Sequence, residues 1–235
     1  MHFTLADLAA DITQNSAESG ADFVELEIRE SAVSPAEFRF ILKDNGKGMS
    51  RDNLDHAMDP FVTDGVKHPG RRVGLGIPFL IQTALQSGGG WRINSTMPGG
   101  ETTVRAGGKA DVPDAEQSGQ TGSSGTTAQG ASVNGVSAND TVVHGTTVEA
   151  WFDLANVDTP PAGDIPGLFR TILLFTGPKE IVLKRSRKGV AGKADLDYEV
   201  KKTELEEALG GELEDVSSLV LLGKYLHSLE GDDEE

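Results

Sequence analysis

The chain has no cysteine among its 235 residues, which excludes disulfide stapling, thiolate metal centres and cysteine nucleophiles. Positive charge is scarce: 21 Lys and Arg stand against 37 Asp and Glu, for a formal net charge of -16. A surface of that sign repels nucleic-acid backbones and anionic membranes, so neither is expected as a partner through general electrostatics. No apolar run approaches the roughly 18 residues needed to span a bilayer. The opening Met1-His2-Phe3-Thr4-Leu5-Ala6-Asp7 carries an acid where a signal peptide would need a long apolar core. A cytoplasmic location is the expectation. Hydrophobic residues, at 37%, suffice for one sizeable core, or one core with a small appendage.

What the chain does possess is a glycine-bearing turn around which the rest can be organised. Asp44-Asn45-Gly46-Lys47-Gly48-Met49 leaves an alternating run, Phe38 to Lys43, that reads as a strand. An acid followed by two glycines two apart gives a sharp turn against which a flat group such as a purine can lie. The carboxylate at the strand end would accept a hydrogen bond from it. The same D-N-G also marks an ordinary turn. Upstream, Thr4 to Asp7 has the spacing of a helix cap, and Leu5, Leu8, Ala9 and Ile12 repeat along one stripe of a helix that stops at Ser19-Gly20. Asp7, Asp11, Asn15 and Glu18 fall on another side. That side is either a solvated acidic face or, with Asn15 set between Asp11 and Glu18, a place where one metal ion or polar ligand meets all three. Residues 21–28 alternate as a strand with one polar face, and residues 37–43 follow as its antiparallel neighbour.

Beyond the turn, residues 52–58 read as a short helix capped by Ser50 or Asp52. Asp59-Pro60-Phe61-Val62-Thr63 then leads into a loop holding Lys67, His68, Arg71 and Arg72, directly before Val73-Gly74-Leu75-Gly76-Ile77-Pro78 and a helix over 77–87. A glycine pair opening a helix aims backbone N–H groups at an anion. The pattern fits a phosphate site under a basic flap, and equally a solvated loop; it is not the G-K-[ST] P-loop. Residues 91–95 and 101–105 form a hairpin about Pro98-Gly99-Gly100. Residues 107–141 are too polar to fold alone and are expected to be a flexible insertion. A strand resumes at Val142 and runs through Thr147 to Phe152. His144, just before that strand's core, is either a ligand or phosphoryl acceptor or a structural residue. Residues 1–155 thus form the main unit. Residues 156–235 form an extension that packs on or beside the sheet, or meets a protein partner: a proline-rich crossover, a helix carrying Leu168, Ile172, Leu173 and Phe175, strands over 180–187 and 196–200, and a helix over 216–229.

Taken in order, the Asp11 to Ala21 helix end, D-N-G-K-G-M, D-P-F-V-T and R-R-V-G-L-G-I-P closely resemble the boxes of the GHKL superfamily. That superfamily holds gyrase B, heat-shock chaperone ATPases, MutL-type repair proteins and histidine kinases. The resemblance spans residues 4 to about 106 with the strand near 145–152. It implies an α+β fold, a Bergerat-type two-layer sandwich with helices on one face of a mixed, mostly antiparallel sheet, and ATP with Mg²⁺ between the helices. By resemblance, Asn15 holds the Mg²⁺, Asp44 accepts from the adenine amino group, and Gly46, Gly48 and Met49 form the turn against the base. Glu18 belongs to the same helical box as Asn15, and Phe61 to the box before the flap. Arg72, with Arg71, Lys67 and His68, would meet the γ-phosphate, and Gly74, Leu75 and Gly76 its backbone cradle. Either Thr147 or Thr103 would supply the hydroxyl near adenine.

The general base of family members that hydrolyse ATP is a glutamate four residues before the asparagine; here that position is Asp11, one methylene shorter, which suits slow rather than fast hydrolysis. Only three residues stand before the first helix, so no dimerising hairpin with a phospho-acceptor histidine is expected there, and the chain is too short for the transducer domain of gyrase or MutL. The last third is similar to small stand-alone bacterial ATP-binding proteins that accompany redox operons. The resemblance therefore implies a regulatory kinase or slow, switch-like ATPase. Alternatives are a non-catalytic nucleotide-sensing scaffold and an anti-sigma-type serine/threonine kinase.

Overall fold

The computed structural model describes residues 4–61, 76–109, 144–210 and 213–231. The expected basic flap, with Val62, Thr63, Lys67, His68, Arg71, Arg72, Gly74 and Leu75, lies outside the described residues, as does nearly all of the expected insertion. Chain order is α1 (Leu5–Glu18), β1 (Phe23–Ser31), β2 (Glu37–Asp44), α2 (Arg51–Met58), α3 (Gly76–Gln86), β3 (Gly90–Thr96), β4 (Thr102–Gly108) and β5 (Gly145–Asp153). There follow α4 (Ile165–Leu173), β6 (Glu180–Lys188), β7 (Leu196–Lys201), α5 (Lys202–Leu209) and α6 (Val216–Glu230).

The strands form one sheet in the order β4-β3-β5-β2-β1-β6-β7. Every neighbouring pair is antiparallel except β1 with β6, which gives the mixed, mostly antiparallel sheet that was expected. Because β5 and β1 each run antiparallel to β2, the chain from β5 through α4 to β6 is a parallel crossover that skips two strands. Such a connection needs a covering helix, and α4 supplies it. The residues after 155 therefore contribute two hydrogen-bonded strands, β6 and β7, to the same sheet.

Side-chain alternation divides the sheet into two faces. Val24, Leu26, Ile28, Phe38, Phe40, Leu42, Ile93, Val148, Ala150, Phe152, Ile181 and Leu183 are buried and pack in one core with the apolar stripes of α1 and α4. Rings from neighbouring strands meet there, Phe152 lying 6.3 Å from Phe38 and 6.1 Å from Phe40. The other face is an ion-pair ladder. Glu25 takes Lys43 at 2.9 Å and Lys184 at 2.6 Å, and Arg39 takes Glu37 at 2.7 Å and Glu149 at 2.8 Å while lying 5.2 Å over the Trp151 ring. Partial burial pushes the Glu25 carboxyl up, but hydrogen bonds and charge from Lys184 and Lys43 outweigh it and hold it below its ordinary range.

The first helix begins as its sequence dictates: Thr4 Oγ1 accepts from Asp7 N at 3.1 Å, and Asp7 Oδ2 accepts from Thr4 N at 3.1 Å, a closed capping box. Two further N–H groups of its first turn, those of Leu5 and Ala6, donate at 2.9 Å to the carbonyls of Pro161 and Ala162, so the proline-rich crossover satisfies groups a helix start leaves open. Three expectations are corrected. Strand β4 runs through Gly108, so the segment from 107 begins inside the sheet. Phe175 lies past the end of α4, its backbone N–H bonding the Ile172 carbonyl at 3.0 Å. Helix α5 was not expected; it follows β7 without a side-chain cap and fully buries no residue, only Leu205 and Leu209 packing partly buried against the core, which leaves no start signal and a short apolar stripe to read. Among the described residues no helix is long and apolar enough to cross a membrane.

Candidate functional site

Asp44 ends β2 on the helix-covered face, partly exposed, and three donors hold its carboxylate. Its Oδ1 accepts from the backbone N–H of Gly46 at 2.9 Å and of Thr146 at 3.3 Å, and its Oδ2 accepts from Ser16 Oγ at 2.7 Å. Ser16 is on the buried stripe of α1, one residue after Asn15, so the same helix turn that anchors the carboxylate presents Asn15 on its exposed side. Asn45 reinforces the strand end from below, its Oδ1 accepting from the N–H groups of Asp22 and Phe23, both at 2.9 Å.

Beside Asp44 runs a row of hydroxyls. The register aligns Asp44 with Thr146, Thr146 with Ser95, and Ser95 with Thr103 across four strands. Ser95 and Thr146 hydroxyl oxygens are 2.9 Å apart, and Ser95 Oγ accepts from the Met49 N–H at 2.8 Å. The register separates the threonines considered for the adenine hydroxyl. Thr147 pairs with Lys43 and Asn94 and so points to the ion-pair face, away from Asp44. Thr103 is on the right face but two strands further along the row. Thr146 is the hydroxyl next to the carboxylate. Parity was the available signal: Val148, Ala150 and Phe152 are the buried series of β5, and 146 shares it.

The glycines of the turn are explained by the protein itself. A Cβ at Gly46 would fall 2.1 Å from Ser19 Oγ and 3.0 Å from Asp44 Oδ1, and one at Gly48, whose φ is +64°, would fall 2.2 Å from the Thr96 carbonyl oxygen. Both are needed to seat the turn between α1 and β3, so their presence alone does not call for a ligand. His144 closes the turn from the other side, its Nδ1 2.7 Å from the Gly46 carbonyl oxygen. A carbonyl only accepts, so this nitrogen is the donor. The structural role considered for His144 has a named partner.

One helix end meets this cluster. A Cβ at Gly76, the first residue of α3, would lie 3.2 Å from Asn15 Nδ2, which puts the expected metal-binding amide against the start of α3, where helix N–H groups are unsatisfied and the dipole is positive. Asp11, one turn before Asn15 on α1, and Glu18, hydrogen-bonded to Gln14 at 2.8 Å, are exposed on the same helix. Helix α2 is pinned to β4 by a bidentate pair, Arg105 Nε to Asp55 Oδ1 at 2.7 Å and Nη2 to Oδ2 at 2.8 Å; the Arg105 hydrogen bonds hold the Asp55 carboxyl below its usual range. Phe61, just past α2, is 92% exposed, and Met49 packs partly buried against the core.

The residues fit a magnesium ion that arrives with a nucleotide. Mg²⁺ takes few protein oxygens and keeps phosphates and waters, and α1 offers the Asn15 amide with the Asp11 carboxylate one turn away. Among the described residues no three His, Asp or Glu side chains converge as a metal cage. Ser16, Thr146 and Ser95 are the site residues that sequence reasoning missed. Ser16 lay four residues from Ile12 on the apolar stripe, where a lone hydroxyl asks for a partner; Ser95 carried no signal of its own.

The profile of the family described as histidine kinase-, DNA gyrase B-, and HSP90-like ATPase matches residues 3–156. The chain belongs to that family, whose members form an ATP-binding class. Among solved structures, the crystal structure of the N-terminal domain of a DNA repair protein is similar at 11% identity, covering 83% of this chain and 52% of that one, with a TM-score of 0.42. The chain thus spans about half the length of that protein, and the superposition is too loose to bear on function. No curated protein matches.

Proposed function

We propose that this chain binds ATP with Mg²⁺ and acts as a regulatory kinase or a slow, switch-like ATPase. The reading is carried by Asp44, a strand-end carboxylate fixed by three donors beside a hydroxyl row and one helix turn from an exposed asparagine at the start of another helix. An anchored carboxylate is a preorganised acceptor for an exocyclic amino group, since it loses little freedom on binding. Adenine would stack in the space bounded by α1, the turn after β2 and α3. Asn15 would orient Mg²⁺, and the ion would neutralise phosphate charge during transfer.

Asp11 is the candidate base, which would orient a water or a substrate hydroxyl. Its shorter side chain favours slow turnover and keeps alive the reading of a non-catalytic nucleotide-sensing scaffold. A protein partner meeting the residues after 155, and a cytoplasmic setting, belong to the same proposal. Incubation with γ-labelled ATP and Mg²⁺ distinguishes the outcomes. Free labelled phosphate that Asp11→Asn abolishes supports the ATPase, label on a second protein supports the kinase, and tight binding without either supports the scaffold. Absence of binding heat with ATP and Mg²⁺ sinks all three.

A further inference from the structure

Hydrogen-bond accounting along the row beside Asp44 gives Ser95 a role that no motif marks. Ser95 is fully buried and carries one proton and two lone pairs. The Met49 N–H, from the glycine turn itself, takes one lone pair at 2.8 Å. The Ser95 proton has two acceptors within reach: Thr146 Oγ1 at 2.9 Å and the Gly145 carbonyl at 3.5 Å. Hydroxyl donors favour acceptors near 2.7–2.8 Å and gain little at the longer distance, so the proton goes to Thr146.

Thr146 Oγ1 is then an acceptor toward Ser95, and its own proton must point elsewhere. No other protein acceptor bonds it among the described residues. The neighbour across the strand pair is Asp44, whose oxygens already accept from Gly46, Thr146 and Ser16 backbone or side-chain donors. The pair therefore shows a ligand two different groups side by side, a carboxylate that accepts and a hydroxyl that donates.

We propose that Ser95 is a specificity-determining positioning residue: it fixes the Thr146 hydroxyl as a donor, so that the site selects a 6-aminopurine over a 6-oxopurine nucleotide. This rests on the ATP reading above and extends it to base selection. A 6-aminopurine offers an amino donor to Asp44 and an adjacent ring-nitrogen acceptor to Thr146. A 6-oxopurine turns an oxygen toward the carboxylate and, on its Watson–Crick edge, an N–H toward the hydroxyl proton. Sites built to hydrogen-bond a group reject analogues that leave it unpaired. Without Ser95 the Thr146 hydroxyl can rotate to accept, and discrimination relaxes.

The test is titration calorimetry with ATP, ITP, 1-deaza-ATP and 7-deaza-ATP, each with Mg²⁺, on the wild type and on Ser95→Ala, Thr146→Val and Thr146→Ser. In the wild type one deaza analogue is expected to bind about three- to tenfold more weakly than ATP, the range of one net hydrogen bond, and it identifies the nitrogen. Thr146→Ser keeps that loss, Thr146→Val removes it, and Ser95→Ala shrinks both it and the ATP-to-ITP ratio while ATP still binds. A merely structural serine would weaken all four nucleotides together and leave their ratios unchanged, which overturns the proposal. Should Ser95→Ala fail to fold, the wild type decides: equal affinity for ATP and both deaza analogues overturns it without any variant. Wild-type protein that binds no ATP removes the proposal together with the reading beneath it, whereas ATP binding with unaltered selectivity in Ser95→Ala removes the proposal alone.

Discussion

Two polar clusters are buried on the helix-covered face of one sheet, and they are built in opposite ways. Around Asp44 a single carboxylate gathers three neutral donors beside the paired hydroxyls of Ser95 and Thr146. At the far side, Arg185 and Arg187, exposed by only 2% and 1%, close on the carboxylate of Glu230 at 3.1 and 2.7 Å. Glu30 completes the ring through Arg185 at 2.5 Å. Tyr198 donates to Glu230 at 2.9 Å, and burial together with the Glu230 charge raises its pKa and keeps it protonated. In this second cluster two cations meet two anions, so the buried charge cancels internally; its work is to fasten the end of α6 to β6. A closed network specifies a fold, while one with donor capacity left over is suited to a ligand.

The contrast can be broken most forcefully at Glu230. Replacing it with alanine strands the buried Arg187 guanidinium and leaves Arg185 with Glu30 alone, so the stability read from denaturant unfolding should fall by about 3–5 kcal/mol; a loss within 1 kcal/mol would show the ring to be dispensable. The opposite cluster should respond through binding and hardly through stability. Asp44→Asn is expected to weaken ATP on the order of ten- to hundredfold in calorimetry, the cost of one charged hydrogen bond, with little change in melting temperature. Thr146→Val should weaken ATP a few-fold and Thr147→Val not at all. Equal effects from the two would contradict the assignment of faces.

The smallest expected effect lies on the ion-pair face. The Glu25 carboxyl sits below its ordinary 4.5 in the folded protein, so the folded state binds fewer protons there. The stability it contributes is present above about pH 4.5 and is lost as pH falls through the lower, folded value. Glu25→Gln should flatten that part of the stability profile, and an unchanged acid limb in denaturant titrations would refute the assignment.

Much of this arrangement was legible because local chemistry and tertiary packing agree in it. The Thr4 to Asp7 box, the stripe of α1 and the alternation of β1 and β2 each announce an element that the core then uses. The turn of D-N-G-K-G-M was legible too, with its carboxylate at the strand end, where the protein itself supplies donors from Ser16, Gly46 and Thr146. What stayed hidden depends on register between distant strands. Ser95 and Thr146 meet only because β3 pairs with β5, and β6 joins β1 in parallel across more than a hundred residues. Which of Thr146 and Thr147 stands beside Asp44 is a matter of parity alone, since a glycine-threonine-threonine run reads the same from either face.

The pairing of β6 with β1 also bears on how the molecule can be cut. The family match ends at residue 156, yet Phe23 to Ser31 bond their second side to Glu180 to Lys188. A fragment stopped at the family boundary would uncover a nine-residue strand flank with Val24, Leu26 and Ile28 alternating along it, an invitation to self-association through new β pairing. It would also leave Glu30 without its arginine. The portion that matches the family therefore borrows its closure from the portion that does not, and shortened versions are expected to precipitate before any nucleotide binding can be measured.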